Sequence, residues 1–172
     1  MSRSWWIVAV ALVAVACSGH EAVAPEALEL LPAVAGEHVF VAPLSGGQEV
    51  PANGSRARGV ATFRLSADGT ELAYRLIVAN IENVTQAHVH LAPAGVNGPV
   101  AAWLYPAGPP AQLIPGRSQG VLAEGTITAA TLVGPLAGQP LDALVAHLVA
   151  GGAYVNVHTL QYPGGEVRGQ IR

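Results

Sequence analysis

Lysine is absent from this chain of 172 residues, and cysteine and methionine occur once each. A single cysteine excludes a disulfide framework and any cysteine-rich zinc or iron–sulfur site. Eight arginines against eleven acids leave a formal charge of −3. The phosphate-neutralising surface of a nucleic-acid-binding protein is therefore missing. No apolar run reaches the roughly 20 residues of a membrane-spanning helix, and no glycine-rich phosphate-cradling loop is present. Charged residues make up only 11% of the chain, whereas 51% are hydrophobic; that is enough for a real core and excludes whole-chain disorder. The 20 glycines and 13 prolines follow no three-residue period, so they mark turns between short strands rather than a collagen-like repeat. The length fits one domain.

The first seventeen residues read as an export address. Arg3 precedes an apolar run from Trp5 to Ala16 that ends in Ala14-Val15-Ala16 before Cys17, the layout of a signal peptide over residues 1–16. The placement of the only cysteine resembles a bacterial lipoprotein signal, in which Cys17 becomes the lipidated first residue, although Ala14 stands where such signals prefer leucine. Ala14 and Ala16 also suit an ordinary signal peptidase, which would leave Cys17 as a free thiol. Ser18, where aspartate would retain a lipoprotein at the inner membrane, points to outer-membrane sorting. Residues 17–36, rich in Ala, Glu and Pro, predict a flexible tether. The expectation is a cell-envelope protein that meets the membrane through its lipid anchor alone, on the periplasmic or surface face.

From residue 37 onward the pattern predicts an all-β domain. Ala61, Phe63 and Leu65 share one face of a strand; an Asp68-Gly69 turn follows, and Leu72, Leu76 and Val78 alternate on the returning strand. Further strands are expected at 39–43, 84–91, 100–105, 120–128, 153–159 and 166–171. About eight short strands argue for a β-sandwich or barrel. One segment breaks the alternation: after Pro140, residues Leu141, Leu144, Val145 and Leu148 fall on one helical face before Gly151-Gly152, which predicts a short crossover helix with His147 outward. A weak echo sets His90 over His158 and suggests two strand–turn–strand units facing each other across the sandwich. Gly116-Arg117-Ser118-Gln119-Gly120 spells a nucleophile-elbow motif, but prolines precede it and a strand follows, so it is read as a loop without hydrolase chemistry. Trp103 and Tyr105 read as core aromatics, or as a contact surface for sugar or protein.

Three groups of residues carry a family resemblance: Leu44-Ser45-Gly46-Gly47-Gln48-Glu49-Val50-Pro51; Ala87-His88-Val89-His90 with Asn97-Gly98-Pro99-Val100; and Tyr154-Val155-Asn156-Val157-His158-Thr159 with Pro163-Gly164-Gly165-Glu166-Val167-Arg168-Gly169-Gln170. In this order, over 37–172, they resemble the CHRD domain first described in chordin. The resemblance implies an immunoglobulin-like Greek-key β-sandwich with limited similarity to copper/zinc superoxide dismutases, and no settled activity. Chordin's growth-factor antagonism does not carry over, because the accompanying cysteine-rich modules are missing.

His88 and His90 alternate on one strand, which puts both imidazoles on one face about 7 Å apart at Cα. With His158 they supply three nitrogen ligands and an open position, a pattern suited to copper or zinc. The pair also resembles the His-x-His copper strand of the dismutases. No zinc-loop series, disulfide pair or convincing active-site arginine accompanies it, so a binding module is expected rather than an enzyme. The competing reading makes His90 and His158 organisers that tie loops to strand ends, with Asn97 and Asn156 satisfying loop backbone. Glu49 and Glu166 are candidates for carboxylates that hold a ligand histidine, or for a turn residue and a same-face partner of Arg168. His20, His38 and His147 are expected to face solvent. The partner, beyond a possible metal, is an unidentified protein or polysaccharide.

Overall fold

Seven strands and one helix follow in chain order: β1 (Val39–Ser45), β2 (Arg58–Leu65), β3 (Leu72–Leu91), β4 (Val100–Tyr105), β5 (Ile114–Ile127), α1 (Leu141–Val149), β6 (Ala153–Thr159) and β7 (Val167–Gln170). They come from a computed structural model that describes residues 38–172. The expected signal peptide and tether, with Cys17 and His20, lie outside the described residues.

Alternation places the strands as the sequence predicts. Ala61, Phe63 and Leu65 of β2 and Leu72, Leu76 and Val78 of β3 are buried, and β2 pairs with β3 from Leu65↔Leu72 to Arg58↔Ala79. The connecting turn is locked by Asp68, whose Oδ1 accepts from the hydroxyls of Ser66 and Thr70 and from the Thr70 amide. The helix is also as expected: Leu141, Leu144, Val145 and Leu148 are buried, and His147 is exposed. Burial of each such leucine contributes about 1.5–3 kcal/mol.

Two expectations are corrected. The strands at 72–79 and 84–91 are one strand of 20 residues, which reduces the count to seven among the described residues. Asn80 (φ 58) and Asn83 (φ 54) take the left-handed conformation that asparagine tolerates, and the register to β5 shifts around them. The chain thus absorbs irregularities without leaving the sheet, and Ile81 and Val84 stay buried between its halves. The Gly116–Gly120 segment is not a loop but part of β5, with Arg117 opposite Glu82 and Ser118 opposite Ile81. Gly116 (φ 78) and Gly120 (φ 99) supply the positive φ values that make such a strand possible.

All seven strands belong to one sheet. The first half of β3 pairs with β2 and β5, and its second half with β6 and β4. From β2 the pairing runs through β1, β7 and β6 back to β3, which gives the sheet a barrel-like closure. His90 and His158 accordingly lie on antiparallel neighbours of one sheet, and not on units facing each other across a sandwich as the sequence echo suggested.

The narrowest seam of the ring is between β1 and β7. Ser45 pairs with Arg168, and Val41 exchanges backbone hydrogen bonds of 2.8 and 3.1 Å with Arg172. Both contacts share one offset, which sets Pro43 between them. Pro43 has no N–H to give to the ladder, and its carbonyl accepts from the Gln48 side chain at 2.8 Å. Close packing replaces the missing bond: a Cβ on Gly169 would lie 2.3 Å from the Pro43 oxygen. Gly169→Ala is expected to wedge this seam open and destabilise the domain by more than about 2 kcal/mol, in the range of overpacked cores. Urea denaturation checks this; a loss below half a kilocalorie would show that the seam does not hold the ring.

Candidate functional site

The chemistry at the end of β3 arises from strand period. Ala87 and Val89 face the core, so His88 and His90 face the other side of the sheet, together with Tyr154, Asn156 and His158 of β6 and Arg168 and Gln170 of β7. Register aligns them in rows across the sheet. His88 is opposite Asn156, which is opposite Arg168; His90 is opposite Tyr154, which is opposite Gln170. Trp103 of β4 is opposite His88, and the two rings meet at right angles with 4.3 Å between centroids.

This polar face is buried. His88, His90 and His158 are 3%, 9% and 7% exposed, and Arg168 only 1%. The covering loops are stitched to the face and to each other. Arg168 donates to Asn97 Oδ1 at 3.0 Å and to the carbonyls of Val96 (2.7 Å) and Pro93 (3.4 Å), while its guanidinium lies 3.4 Å above the Tyr154 ring. Asn97 in turn donates to the Val50 carbonyl at 2.8 Å. Asn53 donates to the carbonyls of Gly165 and Glu166, and Gln170 to those of Ala92 and Gly151.

The three histidines converge: one ring nitrogen from each lies within 4.8 Å of the others. Their tautomers follow from their partners. His90 Nδ1 is 2.9 Å from the Gly98 carbonyl and His158 Nδ1 is 2.9 Å from the Pro163 carbonyl; a carbonyl only accepts, so both Nδ1 atoms carry hydrogen and both Nε2 atoms are lone pairs. His88 Nδ1 then donates to His158 Nε2 at 3.3 Å. His88 Nε2 and His90 Nε2 are buried without a hydrogen-bond partner, at a cost of about 1–3 kcal/mol each. The bonds of His90 and His158 fit the loop-organising reading. One nitrogen of His90 and of His158 ties a loop to a strand, and the other points into a shared space; a backbone carbonyl on the far nitrogen is also what orients metal-binding imidazoles.

The acids take other roles than a carboxylate holding a ligand histidine. Glu166 accepts from Ser55 Oγ and Thr159 Oγ1, both at 2.7 Å, and forms no same-face pair with Arg168, whose donors are given to the 93–97 loop. Glu49 is buried, with Oε1 unpartnered, and sits so close to Gly165 (φ 129) that a Cβ there would lie 2.4 Å from that oxygen. His38, expected in solvent, is half-buried and stacks on Phe40. Trp103, Tyr154, Asn53 and Ser55 were not assigned to the site from sequence. Their signal was available only in the tertiary structure: Trp103 and Tyr154 reach the face through strand pairing, Asn53 and Ser55 from the loop before β2.

Burial lowers the basicity of all three imidazoles, and His88, beside His158 and His90, falls to about 3. Burial pushes the Glu49 carboxyl the other way, to about 7, against the attraction of Arg168.

Fold and site define a barrel-like β domain with a buried three-histidine cluster beneath interlocked loops. The chain belongs to the CHRD domain family, whose model matches residues 40–171 and so spans the cluster and every loop that covers it. Comparison with curated proteins and with solved structures found no match.

The shifts set opposite pH dependences. A depressed histidine stays neutral when folded, while the unfolded chain takes up a proton near pH 6.5. Its contribution is complete above that pH and lost as pH falls. Glu49 keeps when folded a proton that the unfolded chain releases near pH 4.5, so its effect is a loss of stability as pH rises through about 4.5 to 7. In chelator, Glu49→Gln is expected to be more stable than the parent at pH 8, by up to about 3 kcal/mol, with the advantage vanishing by pH 4. Equal denaturation midpoints at pH 8 would refute the buried-carboxyl account.

Proposed function

We propose that this chain is an exported, lipid-anchored CHRD-domain binding module that holds a divalent metal ion, copper or zinc, on His88, His90 and His158, and that it is not an enzyme. The observation that carries the metal reading is the 3.3 Å separation of His88 Nδ1 and His158 Nε2. Two nitrogens about 2.05 Å from one ion at the tetrahedral angle stand about 3.3 Å apart. The third nitrogen, within 4.8 Å, needs to close by about 1.5 Å at most. Metal would replace the hydrogen between His88 and His158, and the proton would move to His88 Nε2. Low basicity helps, because protons do not compete with the ion at neutral pH. Imidazole suits copper and zinc alike.

The immunoglobulin-like, dismutase-like Greek-key arrangement implied by the family resemblance belongs to the same proposal and is supported by the barrel-like closure. The cell-envelope location and the lipid on Cys17 rest on the sequence pattern around Ala14-Val15-Ala16-Cys17. Dismutase-type redox chemistry is disfavoured by the lack of a free arginine at the cluster: Arg168 is committed to the 93–97 loop and Tyr154.

Elemental analysis and competition titration of the full chain in detergent are expected to give one zinc or copper ion per chain. A His88→Ala/His90→Ala/His158→Ala variant should lose it. A folded wild-type chain that binds neither ion would leave the histidines as loop organisers and the module as a scaffold for a protein or polysaccharide. Separately, the chain should incorporate labelled palmitate in a bacterial host and lose it in Cys17→Ser; an unlabelled wild-type chain would point to ordinary signal-peptidase cleavage.

A further inference from the structure

Asn156 lies on the same sheet face as the three histidines. It is the register partner of His88, lies two residues from His158 on the same face, and has its side-chain amide within reach of His90. The residue is 3% exposed, and its Oδ1 is buried without a hydrogen-bond partner. The nearest cation does not satisfy it: Arg168, opposite on β7, gives its donors to Asn97, Val96 and Pro93. Gln170 carries a similar orphan oxygen, but its amide is anchored away from the histidines by Ala92 and Gly151. Asn156 Oδ1 is therefore a buried acceptor without a geometric hydrogen-bond partner, on the same sheet face as the three histidines and beside His90.

An unpartnered buried acceptor beside three converging imidazoles suits a cation. We propose that the Asn156 side-chain carbonyl is a fourth ligand, completing a closed His88/His90/His158/Asn156 site with three nitrogens and one oxygen. This rests on the metal reading above and replaces its open position. Two consequences follow from ligand chemistry. An amide oxygen is a harder donor than imidazole, so the set favours a divalent ion over copper(I). A site with all four positions filled by protein is of the structural kind, without a place for water or substrate. The ion would then tie β3 to β6 beneath the loops.

Cobalt(II) is the probe, with azide as the exogenous ligand. The full chain should bind one cobalt ion with the intense visible absorption of four-coordinate geometry, and azide should leave that spectrum unchanged. Asn156→Ala should bind cobalt at least tenfold more weakly, and azide should shift its spectrum by entering the vacated position. Asn156→Asp should restore the azide-insensitive spectrum and tighten binding. Far-UV circular dichroism of the metal-free chains reports folding, and if the alanine variant does not fold the aspartate variant decides alone. An azide-sensitive wild type, an alanine variant within twofold of wild type, or an aspartate variant that weakens binding overturns the fourth ligand while leaving the three-histidine site intact. A folded wild type that takes up no metal overturns both.

Discussion

A strand has two edges, yet β3 is hydrogen-bonded to four other strands. The sheet meets this constraint by dividing the length of β3: residues 72–79 serve β2 and 72–84 serve β5, and then 84–91 serve β6 and 87–90 serve β4. Val84 marks the handover, paired at once with Ile114 and Thr159. Asn80 and Asn83 allow the strand to change register there without breaking. The ring through β2, β1, β7 and β6 can close only because one continuous strand supports both of its ends.

The same division creates the site. The second half of β3 is flanked on one edge by β6 and on the other by β4, so His88 and His90 meet His158 and Asn156 from one side and Trp103 from the other. Loops then seal a polar layer that would otherwise be the solvent face of a half-buried sheet. Sealing is expensive, because imidazole and amide acceptors are desolvated without donors. Arg168 offsets part of that cost. Fully buried, it holds three loop acceptors and covers Tyr154, which fixes the roof over the histidines. Buried cations are strong organisers of this sort when every donor has a partner.

Much of the fold was legible before the structure. The Asp68-Gly69 hairpin, the alternation of Phe63 and Leu65, and the stripe Leu141, Leu144, Val145 and Leu148 encode their elements locally, through turn chemistry and periods of 2 and 3.6. The strand break at 80–83 was misread from its asparagines, and the loop at 116–120 from the prolines that precede it. Asparagine and glycine at positive φ are turn signals in isolation, and whether they end a strand or bulge it depends on the neighbour that keeps pairing past them. Of the site, His88, His90 and His158 were identifiable from the His-x-His spacing and the family motifs. The carbonyls of Gly98 and Pro163 that fix their tautomers were not, since a backbone acceptor has no sequence signature. The acids were candidates for holding a ligand histidine or for turn and same-face roles, yet Glu166 is held by Ser55, more than a hundred positions earlier in the chain.

The sequence by itself determined the residue chemistry: a charge-poor, lysine-free β domain with imidazoles alternating on a strand. These follow from composition and period, which are local properties. Only the tertiary structure decided that the sheet closes, that β3 and β6 are neighbours, and that His88 and His158 lie 3.3 Å apart. Those are outcomes of register between segments 70 residues apart, where a slip of one position turns every side chain to the opposite face.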